Sequence, residues 1–307
     1  MFLHRLSRLS SWSWLGITLA IALIERLGLW LLYAPTPYND TPSYWRLAQA
    51  VTRGFERYDG TRTPGYPLIL AIFGSEERVW LAQMGMGILI TVFLFYIGWQ
   101  LSRKAWFGGV VALAHSLNLQ QLFFEPNLLS ETAAAFWVTL ALVGVVIWLC
   151  HPERRSPWLA AGLGVVVSLA WLTRPLLIYL PFWVLLFLAW GIGYSESDQI
   201  AGRKERPANI LARILKPVHL IQILAFILPA VLVFGAWIGF IRTRYNQWGL
   251  TTMTGYHMIQ HTGEFFEYVP DQYAALRDTY LKYRDAHIAQ YGTQANTIWE
   301  AIPEMQK

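Results

Sequence analysis

Four ionisable residues, Asp40, Arg62, Glu131 and Arg174, stand where apolar sequence gives way to polar sequence. Asp40 lies in the polar and aromatic stretch Tyr38-Asn39-Asp40-Thr41-Pro42-Ser43-Tyr44, a few residues past the first long apolar run. A carboxylate placed where a chain leaves a bilayer can reach a lipid headgroup at the same depth, and a positioned carboxylate can take the proton of an attacking hydroxyl. The plainer reading is that Asp40 caps the helix that follows, where the helix dipole stabilises its charge. Glu131 opens an apolar run after Ser130, so capping is an alternative there too. Arg174 follows the apolar run 158–172, which spans roughly 22 Å against a hydrocarbon core of about 30 Å. A base at that depth faces a cavity or a partner instead of lipid tails. A snorkelling anchor and an ion-pair partner for Glu131 are the competing roles. Arg62 is a second cation from the first loop, with an interfacial anchor as its plain reading.

The elements that must position these groups are membrane spans. The chain of 307 residues is 55% hydrophobic and 14% charged, with 16 Trp and a mean hydropathy of +0.35. A soluble chain carries about a quarter charged residues, and Trp concentrates at membrane interfaces. Hydropathy places seven spans near 12–34, 79–101, 107–124, 128–150, 158–172, 176–194 and 218–241. The first lacks a cleavage site and is interrupted by Glu25-Arg26, so it reads as a permanent helix and not as a signal peptide. The fold class is all-α and polytopic, with a transmembrane module over 1–241, a first outer loop over 35–78 and a polar tail over 242–307. The tail is expected to be extracytoplasmic, partly helical and continued beyond Lys307 in a longer gene product.

The net charge of +5 comes from Lys and Arg in short loops, which reads as topology and not as a nucleic-acid surface. Arg5, Arg8, Arg103, Lys104, Arg154, Arg155, Arg203, Lys204, Arg206, Arg213 and Lys216 fall on one side. That side is then cytoplasmic, together with the N-terminus, and the first loop and the tail face outward. Cys150 is the sole cysteine, which excludes an intramolecular disulfide and multi-Cys metal sites. Asn39-Asp40-Thr41 matches a glycosylation sequon, a triplet that arises often by chance.

Within the first loop, residues 42–54 read as a helix with Tyr44, Leu47, Ala48 and Val51 on one face and Gly54 as its stop. Downstream, Arg62-Thr63-Pro64-Gly65-Tyr66-Pro67-Leu68 sets a rigid turn before a short apolar run at 69–73. An acid after the first span, a Tyr-x-x-x-Ala helix and Arg-x-Pro-Gly-Tyr-Pro together resemble the type C glycosyltransferases. These are the enzymes related to protein O-mannosyltransferases and to the aminoarabinose transferase that modifies lipid A. Glu125-Pro126-Asn127-Leu128-Leu129-Ser130-Glu131-Thr132 and Leu172-Thr173-Arg174-Pro175 extend the resemblance over most of residues 15–245.

The resemblance implies an enzyme of the inner (plasma) membrane that takes a sugar from a polyprenyl-phosphate donor. The acceptor is a hydroxyl of a lipid, glycan or protein on the periplasmic or extracellular face. It implies Asp40 as the general base, Arg174 and Arg62 as phosphate contacts, and Tyr44, Tyr66 and Glu131 as substrate-binding groups. Glu131 would orient the acceptor, support a divalent metal ion or tune Asp40; no cofactor is otherwise called for. A phosphate leaves as a weak base, so cationic charge is wanted more than a general acid, and one base with one displacement implies inversion. Where the aminoarabinose transferase carries a further acid and a lysine before the loop proline, this chain has Arg62 and Thr63.

Other polar residues carry less. His257, His261 and Glu264 share one face if 255–263 is helical and are weak zinc candidates, with Gly255 and Gly263 against the helix. Glu25 and Arg26, about 100° apart on their helix, are not expected to address one neighbour, and interhelical pairing is their expected role. His115 and Asn118 read as interhelical packing groups. The tail residues Tyr273, Leu276, Tyr280, Tyr283 and His287 form an expected amphipathic stripe over 270–291, whereas 301–307 shows no finished element. The alternatives in other classes are a transporter or lipid flippase, which would favour matched repeats that the chain lacks, and a noncatalytic lipid-binding remnant of the same fold.

Overall fold

The computed structural model describes residues 9–193, 212–256 and 263–305. In chain order its helices are α1 (Ser11–Leu32), α2 (Thr41–Thr52), α3 (Gly65–Phe73), α4 (Glu76–Ser102), α5 (Ala105–Ser116), α6 (Leu119–Phe124), α7 (Glu131–Cys150), α8 (Pro157–Thr173), α9 (Leu180–Gly193), α10 (Pro217–Tyr245), α11 (Ala274–Tyr291) and α12 (Thr297–Met305). Short 3-10 turns lie at Pro152–Arg154, Pro175–Tyr179, Gly263–Tyr268 and Asp271–Tyr273. No β-strand occurs among the described residues; extended backbone pairs at an isolated bridge between Thr36 and Asn127.

Five helical stretches are long and apolar enough to cross a membrane: α1, α4, α7, Pro175–Gly193 and α10. Their outward surfaces are hydrocarbon, as at Leu31 and Leu32 on α1 and Leu228, Val231 and Leu232 on α10, all exposed. Such continuous apolar surface suits lipid, and the chain is a membrane protein.

The stretch 107–124, expected as one span, is two helices, because α5 ends at Ser116 and α6 begins at Leu119. Asn118 makes the break: its side-chain oxygen accepts from Gln120 N at 2.9 Å. A side chain that satisfies a free N–H starts a new helix more readily than it continues an old one. Asn118 is therefore a helix cap and not a packing group between helices. α8 has 17 residues and a length of about 25 Å. It stops at Arg174, whose extended backbone (φ −139°, ψ 117°) is the conformation that the following Pro175 imposes on its predecessor.

The chain divides into two compact units, Met1–Tyr58 with Thr63–Trp237, and Asp59–Arg62 with Ile238–Lys307. One core of the first unit lies among α7 to α10, with Trp148, Leu163, Val167, Leu188 and Phe226 buried. Trp148 Nε1 donates to the Leu188 carbonyl at 3.1 Å, so its buried polar atom is satisfied. Small residues let backbones approach, as membrane helices require. A Cβ on Gly98 would meet Gly108 Cα at 3.0 Å, and one on Gly164 would strike the Phe226 carbonyl. A second core joins the loop helices to the start of α7 through Tyr44, Tyr66, Leu70, Val79, Leu128 and Ala133.

The second unit holds a short piece of the first loop, since Thr252 N donates to the Gly60 carbonyl at 2.9 Å. Its own core is Phe266, Tyr280 and Ile298. Of the expected stripe, Tyr280 and His287 are buried, whereas Tyr273 stands in a 3-10 turn and is exposed, as is Leu276. Residues 301–305, expected to form no finished element, are helical. α12 runs to Met305 because Ile298, Ala301, Ile302 and Met305 recur at helical spacing and pack on that core. Tyr283 Oη and Lys282 Nζ both donate to Glu304 and tie α12 to α11.

Candidate functional site

The N-terminal turn of α2 is stitched to the segment that leads into α7. Thr41 Oγ1 donates to the Leu128 carbonyl at 3.0 Å and accepts from Tyr38 N at 2.8 Å. One turn on, Tyr44 Oη and Ser130 Oγ are 3.2 Å apart. Before the helix, Thr36 N donates to the Pro126 carbonyl and Leu128 N to the Thr36 carbonyl. Asp40 is thus carried on a backbone held at three points against residues 126–130. It occupies the N-cap position of α2, yet its side chain makes no capping hydrogen bond and is exposed. Ser130, the N-cap of α7, likewise makes no capping bond and is taken up by Tyr44.

Glu131, the first residue of α7, forms an ion pair with Arg174 at 2.6 Å. The ion-pair alternative for Arg174 is therefore the geometry observed. Both side chains keep partial exposure, 27% for Glu131 and 39% for Arg174. The second carboxylate oxygen of Glu131 is buried and has no hydrogen-bond partner among the described residues. A buried acceptor without a donor invites a ligand hydroxyl or water.

Two loop motifs far apart in the chain meet at Gly65. A Cβ there would lie 2.5 Å from the Leu172 carbonyl carbon and from Thr173 N, which are backbone atoms that cannot swing aside. Glycine in Pro64-Gly65-Tyr66 is thus what lets α3 rest on the end of α8, immediately before Arg174. Gly65→Ala is expected to destabilise the protein by about 1–3 kcal/mol through overpacking and to lower its thermal midpoint in detergent. An unchanged midpoint would show that the contact gives way easily.

Tyr66 follows and is fully buried. Its ring meets Tyr44 edge-on with centroids 4.8 Å apart, and its hydroxyl donates to Gln83 Oε1 at 2.8 Å. Burial, then the neighbouring Tyr44 and Glu131, push the Tyr66 phenol well above its usual range, so it remains a donor. Gln83, on α4 and fully buried, then donates to the carbonyls of Glu125 at 2.8 Å and Asn127 at 2.9 Å. One amide thereby joins the Pro-Gly-Tyr-Pro motif to the segment that carries Glu131. Sequence reading passed over Gln83, although an amide inside an apolar run was the signal for it. Gln83→Leu would leave a hydroxyl and two carbonyls short of a partner, at about 1–3 kcal/mol for each buried group. Chemical denaturation in detergent should report a loss of that order, and wild-type stability would remove Gln83 from its linking role.

Glu125 is fully buried and takes Arg26 bidentately, at 2.6 and 3.1 Å. Arg26 Nη1 also donates to Ser116 Oγ at 2.8 Å and Glu25 Oε2 at 3.1 Å, while Ser116 Oγ donates to Glu25 Oε2 at 2.5 Å. Glu25 and Arg26 do address one neighbour. Their angular separation on α1 is overcome by the length of both side chains, which converge on Ser116. Gly87 makes the room, because a Cβ there would collide with Glu125 Oε1. His115 Nε2 is buried near this cluster without a partner among the described residues.

A cleft of about 350 Å³ lies beside the Thr36–Asn127 bridge, lined by Leu29, Tyr33, Leu119, Leu122, Phe123 and Pro126 together with the bridge residues. Tyr38 stacks edge-on against Phe123 at its margin. Among the expected site residues, the structure therefore assembles Glu131 with Arg174, Tyr44 with Tyr66, and the backbone of Asp40 with residues 126–130. The rings of Tyr44 and Tyr66 are buried. Arg62 is half-buried and belongs to the second unit. Glu264 is exposed, whereas His257 and His261 lie outside the described residues. No three of His, Cys, Asp or Glu gather as metal ligands among the described residues. Neither a family model, a curated protein nor a solved structure matches this chain.

Proposed function

We propose that this chain is a type C membrane glycosyltransferase that moves a sugar from a polyprenyl-phosphate donor to an acceptor hydroxyl, with inversion. The observation that carries the reading is the 2.6 Å pair between Glu131 and Arg174, set beside the stitched N-terminus of α2 that bears Asp40. In the reaction, the acceptor oxygen bonds the anomeric carbon as Asp40 takes its proton. The bond from that carbon to the phosphate oxygen breaks, and its electron pair leaves with the phosphate. Arg174 exchanges Glu131 for the phosphate and stabilises the departing charge through charge-assisted hydrogen bonds. Glu131, relieved of its partner, accepts a hydrogen bond from the sugar or the acceptor. The apolar cleft between α1 and α6 suits the first prenyl units of the donor.

In this reading the paired helices α5 and α6, and the short α8, join the five longer spans to make seven crossings. The N-terminus is cytoplasmic, and the site opens on the periplasmic or extracellular face of the inner membrane. The test is reconstitution of the purified full chain in liposomes with a panel of polyprenyl-phosphate hexoses and pentoses. Acceptor lipids, glycans and peptides are supplied, and release of polyprenyl phosphate is followed. Turnover with one donor and inverted product supports the reading; no turnover with any donor and acceptor overturns it.

A further inference from the structure

A second cleft, of about 600 Å³, opens where the C-terminal half of α2 meets the end of α3 and the start of α4. Trp45, Gln49 and Thr52 project into it from one stripe of α2, and Ser75, Glu76 and Glu77 face them from the start of α4. The volume is in the range of sites that hold a small organic ligand. The lining has a particular chemistry: an indole, a carboxamide, two hydroxyls and two carboxylates. Trp45 is half-buried with its Nε1 occluded, so what the ring offers the cleft is its apolar face. Gln49 and Glu77 are exposed and Glu76 is half-buried, which leaves their polar atoms available.

We infer that this cleft binds a neutral saccharide. A pyranose ring has an apolar face of C–H groups that lies against an indole, and a rim of neighbouring hydroxyls that both donate and accept. Carboxylates and a carboxamide answer such a rim, because each takes or shares two hydrogen bonds at once. Arg78 stands at the rim, its Nε donating to Ser75 Oγ at 3.1 Å. The carboxylates of Glu76 and Glu77 in the lining outnumber that one cation and oppose a phosphate or an acidic sugar, which favours an uncharged ligand. The site begins at Trp45, about 8 Å along α2 from Asp40 at the helical rise. It is separate from the Glu131–Arg174 pair and does not depend on the chain being a transferase. If transfer occurs, a glycan held here is the part of the acceptor remote from the attacking hydroxyl.

The experiment is saturation-transfer NMR on the full chain in lipid nanodiscs, without any donor, using maltotetraose, cellotetraose and chitotetraose as probes. At least one should give signal that saturates. Trp45→Ala should then weaken binding about tenfold, from loss of the ring contact. Gln49→Ala should weaken it about threefold, as for one net hydrogen bond. Gln49→Ala and Glu77→Gln alter exposed side chains, so they decide the matter if Trp45→Ala does not fold. Three results overturn the assignment: no binding of any probe, unchanged binding in both Gln49→Ala and Glu77→Gln, or occupation by dihexanoylphosphocholine where no sugar binds. The last would make the cleft a lipid headgroup site. Because no donor is present, failure of the transfer reaction leaves the binding result standing, and the reverse also holds.

Discussion

Asp40→Asn is expected to lower sugar transfer by about a hundredfold to ten-thousandfold, the contribution of a positioned general base. The amide keeps the shape of the carboxylate and loses its capacity to take a proton. Structure should survive the change, because the Asp40 side chain is exposed and the amide keeps one of its two oxygens as an acceptor. The helix end is held instead by Thr41, Tyr44 and the Thr36 bridge, none of which the substitution touches. The loss should fall on kcat with little change in KM, since a base acts in the transition state. Turnover retained within a few fold would remove Asp40 as the base, and Glu131, with its unpartnered oxygen, would be the next acid to test.

Arg174→Ala is expected to cost about a hundredfold to a thousandfold in kcat/KM, the scale for removing one preorganised charge donor. Arg174→Lys should recover only part of this, because an ammonium lacks the planar fork that grips two phosphate oxygens. A purely structural role predicts a different pattern. Both partners of the Glu131–Arg174 pair are partly exposed, and such pairs contribute about 0–1 kcal/mol to stability. The thermal midpoint should therefore move little while activity collapses. A large fall in midpoint with activity lost in proportion would identify Arg174 as a brace for α7 and α8.

Much of the helical architecture was legible. The spans at 12–34, 79–101 and 218–241 coincide closely with α1, α4 and α10, because twenty apolar residues in a row have few other solutions. The end of α8 was legible through Pro175, a local rule that acts on one neighbour. The break in 107–124 was not. Asn118 is one polar residue in an apolar run, and whether it caps a new helix depends on local geometry that hydropathy averages away. The ordered α12 was also missed, since its stripe becomes apolar surface worth burying only once Phe266 and Tyr280 are beside it.

The candidate site divides in the same way. Asp40, Glu131 and Arg174 stand out as charges at the ends of apolar runs, whereas Gly65-Tyr66-Pro67-Leu68, expected as a rigid turn, is the first turn of α3. That Gly65 rests on the backbone of Leu172 and Thr173, and that Gln83 links Tyr66 to the carbonyls of Glu125 and Asn127, could not be read from either segment alone.

From its sequence alone the protein is committed to a helical life in a membrane, with ionisable groups at the edges of the apolar runs. Hydropathy and proline act over one window or one bond, so a linear reading captures them. Tertiary structure decided which charges become partners: Arg174 went to Glu131, and Arg26 went to Glu125. Those choices depend on close approach between segments 43 and 99 residues apart (174 − 131 and 125 − 26). Gly87 leaves the space that the Arg26–Glu125 pair occupies, and a one-dimensional pattern contains no distance between such segments.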